Sequence, residues 1–164
     1  AQKCAISPGK LTVIVAPAAS LTGAVQIAAR VPETSMHKLM ILGFDVHRVK
    51  SVIGYGPLAT LSGDETQSMG RSNDAILYGG QCFFTVDAED SEIASLVNQV
   101  PSLISRDYGT PFVEILERYG GDFYQMDPLL FSPAEVIFNN IRTGNVFSAG
   151  KVNHELVYHS LIKG

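Results

Sequence analysis

The sequence has only two cysteines and 12 Lys+Arg against 16 Asp+Glu, and these shortages narrow the functions open to it. With a formal net charge of -4 and no basic run, the chain has little with which to neutralise phosphates, which argues against nucleic-acid binding. No apolar run approaches the roughly 18 residues that a membrane-crossing helix needs. Cys4 and Cys82 stand far apart without CxxC spacing, so reduced thiols in a cytoplasmic protein are expected rather than a disulfide. The opening AQKCAISPGK is too short and polar for a signal peptide.

What is present is a 164-residue chain, 46% hydrophobic and 17% charged, without a low-complexity tract, repeat or linker. That composition predicts one domain over residues 1–164 with a substantial core. LTVIVAPA (11–18) reads as a buried strand stopped by Pro17. Ser20 is an N-cap candidate for a helix through Ala29, and Pro32 opens a second helix that ends at Gly43. FDVHRVKSVIG reads as a strand, the glycine-rich 54–70 stretch as a loop, and RSNDAILYGG as a short helix leading into the strand QCFFTVDA. SEIASLVNQV and PFVEILERYG are helices bounded by proline and glycine. AEVIFNNIRTGNVFSAG looks like two strands joined at Thr143-Gly144, and Asn153 caps a last helix. Strands and helices mix without regular β-α alternation, so the expected class is α+β, a mixed sheet packed with helices.

Generic chemistry is sparse. None of the histidines forms an HxxxH pair, no Walker A, GxGxxG or GxSxG spacing occurs, and neither cysteine sits in a nucleophile signature. Two polar clusters stand out instead. Arg30 and Glu33 flank Pro32 where one helix ends and the next begins, a place where capping alone would also select a cation followed by an anion. Arg71, Asn73 and Asp74 interrupt apolar surroundings in GRSND, where a charge-satisfied helix start explains them nearly as well.

VAPAASLTGAVQIAARVPETSMHKL, VHRVK, GRSNDAILYGG, DYGTPF and DFYQMDP occur in an order that resembles the methenyltetrahydromethanopterin cyclohydrolase family, specifically its C-terminal half. The resemblance runs along nearly the whole chain. It implies half of a two-lobed enzyme of complex topology that hydrolyses N5,N10-methenyltetrahydromethanopterin to the N5-formyl derivative in the one-carbon metabolism of methanogens and methylotrophs. The family's R-x-x-E segment is matched by Arg30 and Glu33, which implies that Glu33 is the catalytic group and Arg30 its partner. The family's G-R-T-N-D is matched by residues 70–74 with Ser72 in place of threonine, which implies substrate-binding roles for Arg71, Asn73 and Asp74.

The chemistry fits those residue types. A carbon bridging two nitrogens that share a positive charge is a strong electrophile, and attacking water must lose a proton, which a carboxylate can take. An anionic Glu33 also complements a cationic substrate. Such a reaction calls for no metal and no prosthetic group. The tetrahydromethanopterin derivative enters as substrate. The resemblance further implies a homotrimer and a partner in the family's N-terminal half, absent from this sequence. The alternative is a non-catalytic pterin-binding or assembly module that keeps the fold.

Overall fold

The structure, a computed structural model, describes residues 1–163. Strands β1 (Val49–Tyr55), β2 (Gln81–Val86), β3 (Glu135–Asn140) and β4 (Val146–Gly150) form one sheet in the order β1-β2-β3-β4. The outer pairs are antiparallel and the central β2-β3 pair is parallel, so the sheet is mixed and the class is α+β. Six α-helices accompany it among the described residues: α1 (Leu21–Ala28), α2 (Val31–Ile41), α3 (Glu65–Gly79), α4 (Asp90–Leu96), α5 (Phe112–Arg118) and α6 (His154–Tyr158). A parallel pair needs a crossover, and the chain carrying α4 and α5 supplies it.

One sheet face is the core. Cys82, Phe84 and Val86 of β2 alternate inward, as do Val136 and Phe138 of β3, and Phe84 stacks on Phe138 with centroids 4.7 Å apart. Val31 and Leu39 of α2, and Ile93 and Leu96 of α4, close over this surface. A second cluster joins Leu77 and Tyr78 of α3 to Phe112, Ile115 and Leu116 of α5. Cys82 lies inside the core, where burial pushes its thiol up to about 11, and Cys4 is exposed; both are free.

Several sequence expectations hold. Ser20 caps α1 by accepting from Gly23 N at 3.0 Å, Asn153 caps α6 by accepting from Leu156 N at 3.1 Å, and the C-terminal hairpin turns where expected. Others change. Residues 11–18 are not a buried strand: Val13, Ile14 and Val15 are exposed, and the segment joins no sheet, because strand composition by itself does not decide pairing. The expected strand from Phe44 starts only at Val49, since Asp45 accepts from His47 N and holds Val46–Arg48 in a 3-10 turn. GRSND is not a helix start. Asp64 is the true cap, accepting from Gln67 N at 2.8 Å, so α3 is already under way when the chain reaches Arg71. The last helix continues as a π turn over His159–Lys163.

One close approach places the start of α2. A Cβ on Gly54 of β1 would lie 2.6 Å from Pro32 Cδ and 2.9 Å from Val31 Cγ1, so the first turn of α2 rests directly on the strand backbone. Gly54 does not occupy the left-handed region, so the requirement there is steric. Replacing it by alanine therefore overpacks a contact against a rigid proline ring. Gly54→Ala is expected to lower stability by about 1–3 kcal/mol in urea denaturation, despite alanine's smaller backbone entropy cost.

Candidate functional site

The turn between α1 and α2 is only two residues long. Arg30 is the N-cap residue of α2, Pro32 stands in its first turn, where a missing N–H costs nothing, and Glu33 follows in that turn. Thr34 Oγ1 donates to the carbonyls of Arg30 and Val31 at 3.1 Å each, fixing the same turn from inside. Arg30 Nε donates to Glu33 Oε2 at 2.8 Å. Glu33 Oε1 has no hydrogen-bond partner among the described residues. The two side chains remain 51% and 58% exposed, so water screens the pair and it adds little to stability. A carboxylate in the first turn is also favoured by the helix dipole.

The pair opens onto a cavity of about 650 Å³. One wall is the α1–α2 junction, with Arg30, Glu33, Thr34 and His37; Met69, Asn73 and Ile76 of α3 form the base. The opposite wall is the segment 123–131, which carries Phe123, Tyr124 and Phe131. The Phe123 and Phe131 rings sit 4.7 Å apart, both lean on buried Phe112, and Tyr124 stands 94% exposed at the mouth. A flat apolar ligand with a cationic edge suits such a space, with aromatic faces on one side and a carboxylate on the other.

The structure brings Arg30, Glu33 and Asn73 together at this cavity and leaves Arg71 and Asp74 on the far side of α3. Residues two apart on a helix point roughly 200° apart, so Asn73 faces the cavity while Arg71 does not. Asn73 Nδ2 donates to Met69 O at 2.9 Å, and its oxygen has no hydrogen-bond partner among the described residues. Arg71 donates to Thr60 Oγ1 at 3.3 Å and to Leu61 O at 3.4 Å. It lines a shallow groove with Glu114, Glu117 and His159. Ser72 is buried between the two faces.

Asp74 is 1% exposed and accepts from Phe112 N at 2.9 Å and from Ser160 Oγ at 2.5 Å. It thereby fastens the start of α5 and the C-terminal turn to α3. Burial pushes its carboxyl up to about 7; the bonds from Ser160 and Phe112 oppose that shift, and Glu114 adds to it.

Sequence reasoning missed His37, Lys38 and the aromatic wall. His37 lies one turn beyond Glu33 on the same face, a spacing visible in ETSMH. Phe123 and Tyr124 lie in the DFYQMDP motif but gave no local sign of facing α2. Among the described residues, no group of three His, Cys, Asp or Glu side chains is arranged to hold a metal, and no helix is long and apolar enough to cross a membrane.

Comparisons with known proteins agree in direction. The Cyclohydrolase (MCH) family model matches residues 1–161. The chain is 42% identical over 162 residues to methenyltetrahydromethanopterin cyclohydrolase of Methanothermobacter marburgensis, covering 98% of this chain and 51% of that protein. It is 45% identical over 160 residues to the protein of that name from Methylobacterium sp. strain 4-46, covering 98% and 49%. The corresponding figures for the Methanocaldococcus jannaschii protein are 41% over 163 residues, 98% and 50%. The chain thus spans about half the length of the relatives it matches.

The raised Asp74 carboxyl gives a pH signature. The folded state holds this proton more tightly than the unfolded chain, so the group's contribution is fully present below about pH 4 and is lost as pH rises through about 7. Asp74→Asn removes that dependence. The stability of wild type relative to the variant should therefore increase on acidification from pH 7.5 to 4.5, by about 3 kcal/mol in denaturation curves.

Proposed function

The chain belongs to the Cyclohydrolase (MCH) family, and from that premise we propose that it carries the water-activating side of methenyltetrahydromethanopterin hydrolysis. The supporting observation is the 2.8 Å Arg30–Glu33 pair opening onto an aromatic-walled cavity. Arg30 holds Oε2, so the carboxylate cannot swing freely and Oε1 stays available as an acceptor. Water donating to Oε1 is then aimed at the bridging carbon, whose positive charge is spread over two nitrogens.

As the water oxygen bonds to that carbon, Glu33 takes one proton and the cation becomes a neutral carbinol. Collapse of the carbinol forms the formyl C=O, breaks the bond to N10 and leaves a proton on N10. Of water's two protons, one ends on N10 and one is released, and the oxygen stays in the formyl group. The carboxylate stabilises the cationic reactant as well as the developing charge. Its catalytic advantage therefore comes from placement and proton transfer more than from charge alone.

Asn73 is assigned to substrate contact through its free amide oxygen, and Asp74 to holding α5 in place. Arg71 acts at the opposite groove, outside the cavity. The proposal includes a cytoplasmic homotrimer in which the rest of the relatives' length completes the pocket. The half-length span favours one further reading, a pterin-binding or assembly module without turnover.

Loss of the methenyl absorbance, followed with and without the missing half supplied as a second polypeptide, separates the two. Glu33→Gln is expected to lower kcat by at least about 100-fold, with an unchanged thermal midpoint because the ion pair is half-exposed. Near-normal turnover in that variant overturns the catalytic assignment. Arg30→Lys, which replaces a planar fork by a point charge, should cost about tenfold in kcat.

A further inference from the structure

We propose that Lys38 is a positioning residue whose buried ammonium ties α2 to the aromatic segment opposite and so sets the width of the cavity above Glu33. The inference rests on reading that cavity as the methenylpterin site.

Lys38 lies five positions after Glu33, roughly 140° around the helix, so it points beneath the cavity rather than into it. It is fully buried, at 0% exposure. Its Nζ donates to Leu129 O at 2.5 Å, across 91 residues of sequence. Leu129 belongs to the short 3-10 turn Pro128–Leu130, and that turn is rigid. Asp127 accepts from Leu129 N at 3.0 Å through its side chain and from Leu130 N at 3.0 Å through its carbonyl. The same carboxylate accepts from Ser105 Oγ at 2.7 Å and from Arg106 N at 3.1 Å. A pull on Leu129 O is therefore felt by Met126 and Pro128 before it and Phe131 after it, all of which line the wall facing Glu33.

The electrostatics point the same way. Burial pushes the Lys38 amine down to about 8, and attraction to Asp127 opposes that shift. Burial alone would raise the Asp127 carboxyl, yet the hydrogen bonds from Ser105, Leu129 and Arg106 hold it below the usual range. An apolar side chain of equal length would fill the same space without desolvating a charge, and such replacements are commonly neutral or stabilising. What methionine cannot supply is the bond between the walls.

The test uses the 164-residue chain as wild type, Lys38→Met and Lys38→Arg, with the remaining half of the relatives' length supplied as a second polypeptide for the turnover assays. Hydrogen exchange reports how firmly residues 123–131 are held, and it needs no substrate. In Lys38→Met the thermal midpoint should be unchanged or higher, while amides of 123–131 exchange about tenfold faster or more. KM for methenyltetrahydromethanopterin should rise about tenfold with kcat within about threefold, because the aromatic wall moves and Glu33 does not. Unchanged exchange and unchanged KM in a folded Lys38→Met overturn the proposal. If that variant does not fold, Lys38→Arg decides: a longer donor that keeps the segment protected but raises KM supports the spacing role, and an unaltered KM overturns it. Wild type that neither binds nor turns over the methenylpterin even with that second polypeptide present would sink the reading of the site, while the exchange comparison would still decide whether Lys38 holds the wall.

Discussion

The seat of α2 on β1 is the constraint from which the rest of the site follows. Because Gly54 carries no side chain, Val31 and Pro32 press onto the strand, and the start of the helix is placed by that contact. Its first turn then presents Arg30 and Glu33 outward, while Leu39 and Lys38 face inward. A helix fixed at its N-terminus by steric contact keeps its register, and register decides which residues reach the cavity. The same contact explains why the junction with α1 is so short: with α2 anchored, two residues suffice to reverse the chain.

α3 plays the complementary part by having two polar faces. Met69, Asn73 and Ile76 recur at helical spacing toward the cavity, while Gln67, Arg71 and Asp74 recur toward the opposite groove. The two groups carry different burdens. Asp74 is desolvated and satisfied by two donors, so its removal is felt in the packing of α5 and the C-terminal turn. The Arg30–Glu33 pair is wet and adds little to folding. Stability and proposed chemistry are thus assigned to different carboxylates.

Much of this was legible in local sequence. Ser20 and Asn153 cap helices because their side chains serve the nearest amides, a decision made within three residues. QCFFTVDA and the C-terminal hairpin follow from alternation that the sheet then uses. The pairing of Arg30 with Glu33 follows from i,i+3 spacing across a proline turn. Other features depend on distant partners. The apolar 11–15 segment has strand composition, but composition does not create pairing: β1 and β4 leave the sheet with open edges, and the segment joins neither. GRSND resembled a helix start because polar residues cluster there, whereas Asp64 had already capped the helix upstream. Nothing near Lys38 in sequence announces a bond to Leu129.

That bond also supplies a constraint that the aromatic rings alone lack. Rings alone hold a flat ligand at a spacing set by van der Waals contact, which tolerates sliding. A carboxylate that must meet one carbon of that ligand tolerates much less, since misplacement by about an ångström can cost two orders of magnitude in rate. In the proposed reading the fold meets the stricter requirement by tying both walls to one helix: Glu33 is on α2, and Lys38 bonds α2 to the aromatic segment, which Asp127 also fastens to Ser105 and Arg106. The proposed catalyst and its platform are then coupled through one helix, which limits how far the distance between them can drift.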